Sequence, residues 1–446
     1  MRGRSTLILL VVAVAFGAYI YFVESKKPVV DENAKKKVFS YETGKIDQVE
    51  IKISGGDATA LKKETGGWTI VKPVAAPADQ NAVNDIVTNL ATLEEDRLVE
   101  ENAADLKSYG LAEPRIDVTF NVTGEKTPKQ ILFGDKSPTG VGVYAKLPTE
   151  KRVFLVGTSA DTTFTRTTFD LRDKTALKFQ QDKVDSLELV SKNQTIRLEK
   201  SGEEWKMVKP IQAPADYVSV QGVLGQLQAA QMTTLKDKAE DLKDLKPYGL
   251  DKPEVTAIIG TGTQKVTFEL GKAGDAGSFW ARDPSRSAVF TVANGLAEEL
   301  RKKPFDLRRK EIFDFRPFNT SRFEITRGKD TRAFERVKAK EPNGNDTWKQ
   351  VVPAEKPVDA SNFEGALLEF SNLRANAAID TIDPAMGLNA PAATITVKFD
   401  DGKKEERVTL GQHGSDVYAV RRDQPGALKV ESGKYEAAIK KLDSIQ

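Results

Sequence analysis

The sequence contains no cysteine in 446 residues and only one histidine. Without cysteine the chain has no disulfide, no thiolate nucleophile and no thiolate metal ligand. With a single histidine we expect no transition-metal site, because such sites combine several nitrogen or sulfur ligands. An excess of charge of one sign is also missing, since 67 Lys and Arg residues against 65 Asp and Glu residues leave a net charge of +2. A chain with this charge balance does not produce the positive electrostatic field that drives nucleic-acid binding, so nucleic acid is not an expected partner.

The one long apolar run is TLILLVVAVAFGAYIYFV at residues 6–23, which contains no charged residue. Its length reaches the lower end of what spans a hydrocarbon core of about 30 Å at about 1.5 Å per residue. Arg2 and Arg4 precede it, and a lysine-rich segment follows. We therefore expect a transmembrane anchor at 6–23 that contacts the lipid bilayer, between a cytoplasmic tail at 1–5 and a charged tether at 24–37.

A cleaved signal peptide is the alternative for this segment, because residues 13–18 include small residues near a possible cleavage site. Residues 19–23 favour the anchor, since they extend the apolar run and carry aromatic side chains typical of a membrane interface. Lysines after the run leave the positive-inside rule undecided. A short tail that stays inside is the commoner arrangement, so we expect the bulk of the chain outside the cytoplasm.

The rest of the chain repeats itself at a spacing of roughly 140 residues. The markers are tryptophans separated by 137 and 143 residues, turn glycines separated by 139 and 138, a later glycine series, and aromatic-Ala pairs: Trp68, Trp205 and Trp348; Gly110, Gly249 and Gly387; Gly134, Gly271 and Gly411; Tyr144, Trp280 and Tyr418 with the alanines that follow them. A period of this length is the size of a whole domain. We predict three tandem homologous repeats, each with its own core: repeat 1 at 38–178, repeat 2 at 179–315 and repeat 3 at 316–446.

Within each repeat, segments that alternate apolar and polar residues predict half-buried strands, and one of these carries the Trp. The Trp strand ends in the pattern Pro-x-x-x-Pro-x-Asp, which is followed by apolar residues at helical spacing. Proline ends a strand, and an Asp carboxylate can accept the free amide hydrogens at a helix start. We predict helix N-caps at Asp79, Asp216 and Asp359. The fold class is α+β, each repeat holding about six or seven mostly antiparallel strands and one principal helix.

The turn DLKSYGLAEP at 105–114 returns as DLKPYGLDKP at 244–253 and more faintly as IDPAMGLNAP at 382–391. Its glycine permits a positive φ where the chain reverses after a short helical turn, and the proline starts the next extended segment. We therefore interpret Gly110, Gly249 and Gly387 as a structural corner. The leucines that follow them are expected to pack inward: Leu111, Leu250 and Leu388.

Repeats 1 and 2 end alike, in FDLRDK at 169–174 and FDLRRK at 305–310, which we interpret as connectors. Two roles stay open for the pairs Asp170/Arg172 and Asp306/Arg308. They could hold the angle between repeats through a charge-assisted hydrogen bond, or they could cap the last helix of a repeat.

None of the candidate chemical groups forms a recognised site. His413 lies in LGQHGSD, whose equivalents lack histidine, so we interpret it as an exposed turn residue. TGVGVY at 139–144 lacks a third glycine and a following helix and is typical of a hairpin. Acidic clusters at 94–96 and 241–244 lie on expected helix surfaces. We predict no catalytic, cofactor-binding or metal-binding residues.

The YIYFVE anchor, the W-x-[IM]-V-K-P strands and the repeated Y-G-L-x-x-P turns resemble the bacterial domain-of-unknown-function family 4340 over essentially the whole chain. Members are often encoded beside gliding-motility-type ABC transport systems. The resemblance implies a single-pass protein of the bacterial inner membrane with a periplasmic or otherwise extracytoplasmic bulk, and transport-complex proteins as partners. Repeat 3 departs from the pattern at Val352 and Met386, so those positions are not expected to serve a shared ligand.

Three functions from different classes follow from these features. The first is a non-enzymatic, membrane-anchored accessory or scaffold protein of an ABC-type envelope transport complex. The second is a binding module for a cell-wall polymer or polysaccharide that uses Trp280 and Tyr144, although their alternating positions are compatible with the core. The third and weakest is an envelope hydrolase, for which the sequence offers no nucleophile with a base. The sequence does not identify a small-molecule ligand.

Overall fold

The computed structural model describes residues 36–339, 341 and 345–445. The predicted tail, the anchor and residues 24–35 of the tether lie outside the described residues. Within the described ranges no helix is long and apolar enough to cross a bilayer. The predicted α+β class is confirmed, with three nine-stranded antiparallel sheets and few helices. The chain divides into two compact units, one that ends at Asp173 and one that begins at Lys174 and holds the second and third sheets.

The first sheet lies in repeat 1 and has the strand order β5-β4-β3-β2-β8-β9-β10-β11-β7. Strands β1 and β6 form a separate two-stranded sheet in the same repeat. The bounds are β1 Lys36–Lys37, β2 Ile46–Ile53, β3 Ala58–Glu64, β4 Gly67–Lys72, β5 Ala76–Pro77, α1 Gln80–Thr92, β6 Glu94–Glu95, β7 Arg97–Glu100, β8 Ile116–Val122, β9 Lys129–Lys136, β10 Gly142–Lys146, β11 Val153–Gly157 and α2 Ser159–Phe164.

The second sheet lies in repeat 2 and has the same arrangement, in the order β15-β14-β13-β12-β17-β18-β19-β20-β16. Its elements are β12 Ser186–Ser191, β13 Gln194–Ser201, β14 Glu204–Lys209, β15 Ala213–Pro214, α3 Tyr217–Ala229, β16 Thr234–Lys236, α4 Ala239–Leu242, β17 Val255–Thr261, β18 Gln264–Ala273, β19 Ser278–Arg282, β20 Val289–Ala293, α5 Asn294–Leu300 and α6 Pro304–Leu307.

The third sheet lies in repeat 3, in the order β24-β23-β22-β21-β26-β27-β28-β29-β25. Its elements are β21 Thr320–Arg327, β22 Asp330–Val337, β23 Thr347–Val352, β24 Lys356–Val358, α7 Ala360–Ser371, β25 Ala375–Ile379, β26 Ala393–Phe399, β27 Lys404–His413, β28 Asp416–Arg421, β29 Ala427–Val430 and α8 Ser432–Asp443. The strand order therefore recurs three times, which is the duplication that the sequence markers predict. Each sheet has more than the six or seven strands expected, because strands of two to five residues show too little periodicity to detect.

The main core of each repeat lies between one sheet face and the principal helix. The apolar residues of the helix stripe are buried: Val83, Ile86, Val87 and Leu90 in α1, Val220, Val223, Leu224 and Leu227 in α3, and Phe363, Ala366, Leu367 and Phe370 in α7. The sequence spacing predicts all of these positions. In β8 the side chains alternate strictly between buried and half-buried, as expected of a strand with one face on the core.

The connectors join repeats by extending their hydrogen-bonded structure. In the second unit, Leu307 O accepts from Asp216 N at 2.8 Å and Arg309 N donates to Pro214 O at 2.9 Å. Three residues later, Ile312 N donates to Leu373 O in repeat 3 at 2.9 Å. One short segment is thus bonded to the helix start of repeat 2 and to the chain after the helix of repeat 3.

The connector positions of repeat 1 follow the same plan. In the first unit, Leu171 O accepts from Asp79 N at 2.9 Å and Asp173 N donates to Pro77 O at 3.0 Å. Lys36 and Lys37, which the sequence analysis includes in the tether, form β1 beside Glu94 and Glu95. That strand lies where an incoming connector lies in the later repeats.

Candidate functional site

The recurring tryptophans and aspartates meet at the start of each principal helix. Trp68, Trp205 and Trp348 are buried. The Asp carboxylates accept backbone N–H groups of the first helical turn: Asp79 from Asn81 and Ala82 at 2.9 and 3.0 Å, Asp216 from Ser219 at 2.7 Å, and Asp359 from Asn362 at 2.7 Å. These are the N-caps that the Pro-x-x-x-Pro-x-Asp spacing predicts. The proline before each turn is preceded by a cis peptide bond, at Pro73, Pro210 and Pro353.

One of these caps also shows the electrostatics of the position. Burial, the largest effect, raises the pKa of Asp216, but the hydrogen bonds from Ser219 and the charges of Lys310 and Arg374 outweigh it. The net pKa lies below its usual value, so the carboxylate is held ionised at the helix N-terminus. In each cap the carboxylate oxygen Oδ1 accepts from the first helical turn, so the three caps are structural groups.

The repeated Y-G-L turn ends in a left-handed residue, as predicted. Gly110, Gly249 and Gly387 have φ values of 66°, 68° and 71° and each closes a one-turn 3-10 helix. The second glycine series lies directly against this turn. A Cβ atom on Gly134, Gly271 or Gly411 would overlap the carbonyl oxygen of Tyr109, Tyr248 or Met386 respectively. The two glycine series thus recur together because the turn touches the backbone of the strand.

The turn covers the sheet face that the helix leaves open. Leu111 and Leu250 are buried beneath it, as predicted. The same prediction for Leu388 is wrong, because Leu388 is only half-buried and Met386 is buried in its place. Met386 occupies the position at which Tyr109 and Tyr248 stand in the other repeats.

The turn tyrosines pair with aromatic residues of the covered strand. The ring centroids of Tyr109 and Tyr144 lie 5.0 Å apart, and those of Tyr248 and Trp280 lie 4.7 Å apart. The Tyr109 hydroxyl donates to Glu100 Oε2 at 2.8 Å, which raises the pKa of Tyr109. The expectation that Tyr144 and Trp280 are compatible with the core is wrong. Val143 and Ala145 beside Tyr144, and Ala281 beside Trp280, are buried in the core, whereas both rings are half-buried on the opposite face.

A cavity of about 560 Å³ lies beside Trp280 in repeat 2. Ser278 and Trp280 of β19, Thr291 of β20 and Thr234 of β16 contribute to its lining. Thr291 Oγ1 lies 2.7 Å from the hydroxyl oxygens of both Thr233 and Thr234. A cluster of three hydroxyl groups, of which that of Thr291 belongs to a buried residue, therefore borders the cavity together with a half-buried indole ring.

A second cavity, of about 570 Å³, lies beside a buried charged cluster in repeat 3. Arg421 donates to Ile312 O at 2.9 Å, to Asp314 at 2.8 Å, to Glu406 at 3.2 Å and to both oxygens of Asp423 at 3.0 Å. Burial opposes ionisation of Arg421, but these carboxylates outweigh it and raise its pKa. The cluster fixes the connector against repeat 3, and we name it the connector clamp: Asp314, Glu406, Arg421 and Asp423.

Repeat 2 binds its own incoming connector with a different arginine. Arg286 donates to Thr175 O at 3.1 Å and to Ala176 O, the equivalent of Ile312 O. Its charge is balanced by Asp283 at 3.1 Å. Both repeats thus satisfy the same connector carbonyl, from sequence positions that do not align.

The structure also separates the two roles left open for the second FDLR pair. Asp306 accepts from Lys303 N at 2.8 Å and caps the short helix α6. Arg308 is buried and donates to Gln424 Oε1 of repeat 3 at 2.9 Å. In the first connector Asp170 accepts from Thr167 N at 2.9 Å within a turn. In the second connector the Asp caps a helix, whereas the Arg crosses to the next repeat.

The other candidate groups lie apart from these clusters. His413 is exposed at the end of β27, as predicted. Gly140 of TGVGVY has a φ of 71° in the turn between β9 and β10, which is the predicted hairpin. Within the described ranges no group of three His, Cys, Asp or Glu side chains is arranged to hold a metal ion.

Comparison with known proteins identifies a family but no characterised relative. No curated protein matches the chain. Solved structures that resemble it include a DNA polymerase sliding clamp from Pseudomonas aeruginosa, with 10% identity, a TM-score of 0.17 and coverage of 87% of this chain and 91% of that one. A putative DNA polymerase III beta subunit from Eubacterium rectale has 7% identity, a TM-score of 0.16 and coverage of 87% and 90%.

The family model for the domain of unknown function DUF4340 matches residues 68–206 and 205–391. These segments begin at the first recurring tryptophan and end at the last residue of the third recurring turn, and together they span more than half of the chain. The protein belongs to the DUF4340 family.

Proposed function

We propose that the protein is a non-enzymatic scaffold, anchored in the bacterial inner membrane through residues 6–23, whose repeats serve an ABC-type transport complex from the extracytoplasmic side. The uncharged run at 6–23 supports the anchor, since its length is compatible with a single span. The Trp, Asp and Gly series that recur in the three repeats all have structural contacts in the described residues, which supports a scaffold.

The observation that carries the proposal is the bonded connector between repeats 2 and 3. Backbone hydrogen bonds tie residues 307–309 to repeat 2 and residues 310–312 to repeat 3. Arg308 and Arg421 add side-chain bonds across the same junction. A flexible linker would leave the repeats free to reorient, whereas a bonded connector holds two sheets as one compact unit. Such a unit suits a protein that positions partners.

The anchor is tested by membrane fractionation of cells that produce the full chain or a variant without residues 1–23. We expect the full chain to remain in the membrane pellet after extraction at alkaline pH and the variant to be released. Protease added to spheroplasts should digest the repeats of the full chain. Release of the full chain by alkaline extraction, or protection of its repeats from protease, would contradict the proposed topology.

The partner is tested by crosslinking in intact cells, followed by solubilisation and purification of the full chain. The matched control is a variant that keeps residues 1–37 and lacks the repeats. Transport-complex proteins should be enriched with the full chain and not with the control. If the two samples recover the same proteins, the repeats do not form the complex and the scaffold proposal fails.

A further inference from the structure

The cavity beside Trp280 has the features of a ligand site rather than of a packing defect. It lies on the sheet face opposite the main core of repeat 2, and its volume of about 560 Å³ is within the usual range for a small-molecule site. We propose that this cavity binds a neutral pyranose ring of an oligosaccharide. The proposal goes beyond the scaffold function and does not depend on it.

Trp280 supplies the apolar surface that a sugar ring requires. The indole is half-buried and borders the cavity, while the ring of Tyr248 packs against it at 4.7 Å and fixes its orientation. No described residue accepts a hydrogen bond from the indole N–H. A half-buried aromatic ring that borders a cavity and packs against a second ring suits a ligand that has an apolar face, and its N–H can donate to a polar edge of that ligand.

The hydroxyl cluster supplies the matching polar groups. Thr291 is buried, and its hydroxyl lies 2.7 Å from those of Thr233 and Thr234, all three of which border the cavity. Each hydroxyl can donate one hydrogen bond and accept two, so the cluster retains capacity for a ligand. The residues aligned with Thr291 are Leu155 in repeat 1 and Lys429 in repeat 3, which do not form such a cluster.

The charges at the cavity favour a neutral ligand. Lys236 and Asp275 are the two ionisable residues among those that line it, and their charges are opposite. A phosphate or a carboxylate ligand would therefore meet no net attraction. A sugar ring combines an apolar face with several hydroxyl groups and carries no charge, and it matches both the indole and the threonines.

Intrinsic fluorescence provides a direct test, because the other three tryptophans of the chain are buried. Quenching by acrylamide in the solubilised full chain should report mainly on Trp280. The probes are a β-1,4-linked N-acetylglucosamine tetramer and an α-1,4-linked glucose heptamer, with isothermal titration calorimetry as the second measurement. At least one probe should bind and reduce the quenching by acrylamide.

Variants separate the site from general effects on folding. Trp280→Ala should weaken binding by about tenfold or more, Trp280→Phe should weaken it less, and Thr291→Val should also weaken it. The control is Tyr418→Ala, which removes the aromatic residue at the equivalent position of repeat 3. That variant should bind the probe as the unchanged chain does, and circular dichroism should show that all variants are folded.

Three outcomes would overturn the proposal. The first is that neither oligosaccharide binds at millimolar concentration. The second is that Trp280→Ala binds as tightly as the unchanged chain. The third is that an aromatic peptide protects Trp280 from acrylamide while neither sugar does, because that result would assign the cavity to a protein partner.

Discussion

Replacement of Arg421 by Met should destabilise the compact unit that begins at Lys174. Arg421 is the centre of the connector clamp, and the side chains of Arg421 and Glu406 are only 4% and 5% exposed. Met is uncharged and unbranched, so Arg421→Met removes the guanidinium and replaces the aliphatic stem of Arg with another apolar side chain. The Glu406 carboxylate then stays buried without its cation.

The magnitude follows from what each partner loses. Removal of one member of a buried ion pair costs about 3–5 kcal/mol. Glu406 keeps two backbone donors, the N–H groups of Asp314 and Phe315 at 2.9 Å, so the lower end of that range applies. The bond to Asp423 adds little because that carboxylate is 61% exposed. We expect a loss of about 3 kcal/mol in the free energy of unfolding.

Differential scanning calorimetry measures the effect on the transition of this unit. In a unit of this size Tm falls by about 2 °C for each kcal/mol lost from the free energy of unfolding, so Tm should fall by about 6 °C. The control is Arg407→Met, a change at an exposed arginine on the neighbouring strand. The double variant Arg421→Met, Glu406→Gln should recover part of the loss, because the Gln amide is uncharged and its burial without a cation costs less than burial of a carboxylate. A shift no larger than that of Arg407→Met would refute the reasoning.

Three further changes test other parts of the fold. Gly134→Ala should destabilise repeat 1 by about 1–3 kcal/mol in thermal unfolding, since its Cβ would overlap the carbonyl of the Y-G-L turn, whereas Gly44→Ala has no atom within 4 Å and should be neutral. Asp359→Ala should cost about 1 kcal/mol through the lost N-cap, and Asp359→Asn should recover most of it. Asp161→Asn should destabilise the chain at pH 7, and this effect should shrink as pH falls below 3.8, the ordinary pKa of Asp.

The sign of the pH effect follows from the contacts of Asp161. Burial is the largest single influence and raises the pKa of Asp161. Arg115 and Lys136, at 2.5 and 2.9 Å, together lower the pKa by more than burial raises it, so the net pKa lies below the usual 3.8. A carboxylate of this kind stabilises the fold above its unfolded pKa, and the contribution is lost as pH falls through the folded pKa. A difference between Asp161→Asn and the unchanged chain that stays constant or grows as pH falls below 3.8 would contradict this explanation.

The other two predictions have equally direct contrary results. Equal Tm values for Gly134→Ala and Gly44→Ala would show that the turn and strand can move apart at no cost. If Asp359→Asn loses as much stability as Asp359→Ala, the carboxylate stabilises repeat 3 by a means other than its hydrogen bond to the helix.

Much of the fold could be predicted from the sequence because local physical rules set it. The Asp caps, the helix stripes and the left-handed turn glycines each follow from a neighbouring pattern of a few residues. The second glycine series is recognisable in the sequence as a recurring marker, but the sequence does not show why glycine is required there. Gly134 is required by the carbonyl of Tyr109, a contact that forms only when the turn folds over β9.

The connector contacts could not be predicted, because side chains at different sequence positions donate to the same connector carbonyl in repeats 2 and 3. The carbonyl at the fourth residue after FDLR must be satisfied once the connector is bonded into the next repeat. Repeat 2 satisfies Ala176 O with Arg286, whereas repeat 3 satisfies Ile312 O with Arg421. An alignment of the repeats places Asp283 opposite Arg421, so the two arginines do not appear as one series. A search for recurring residues therefore finds the groups that fold each repeat and misses those that join one repeat to the next.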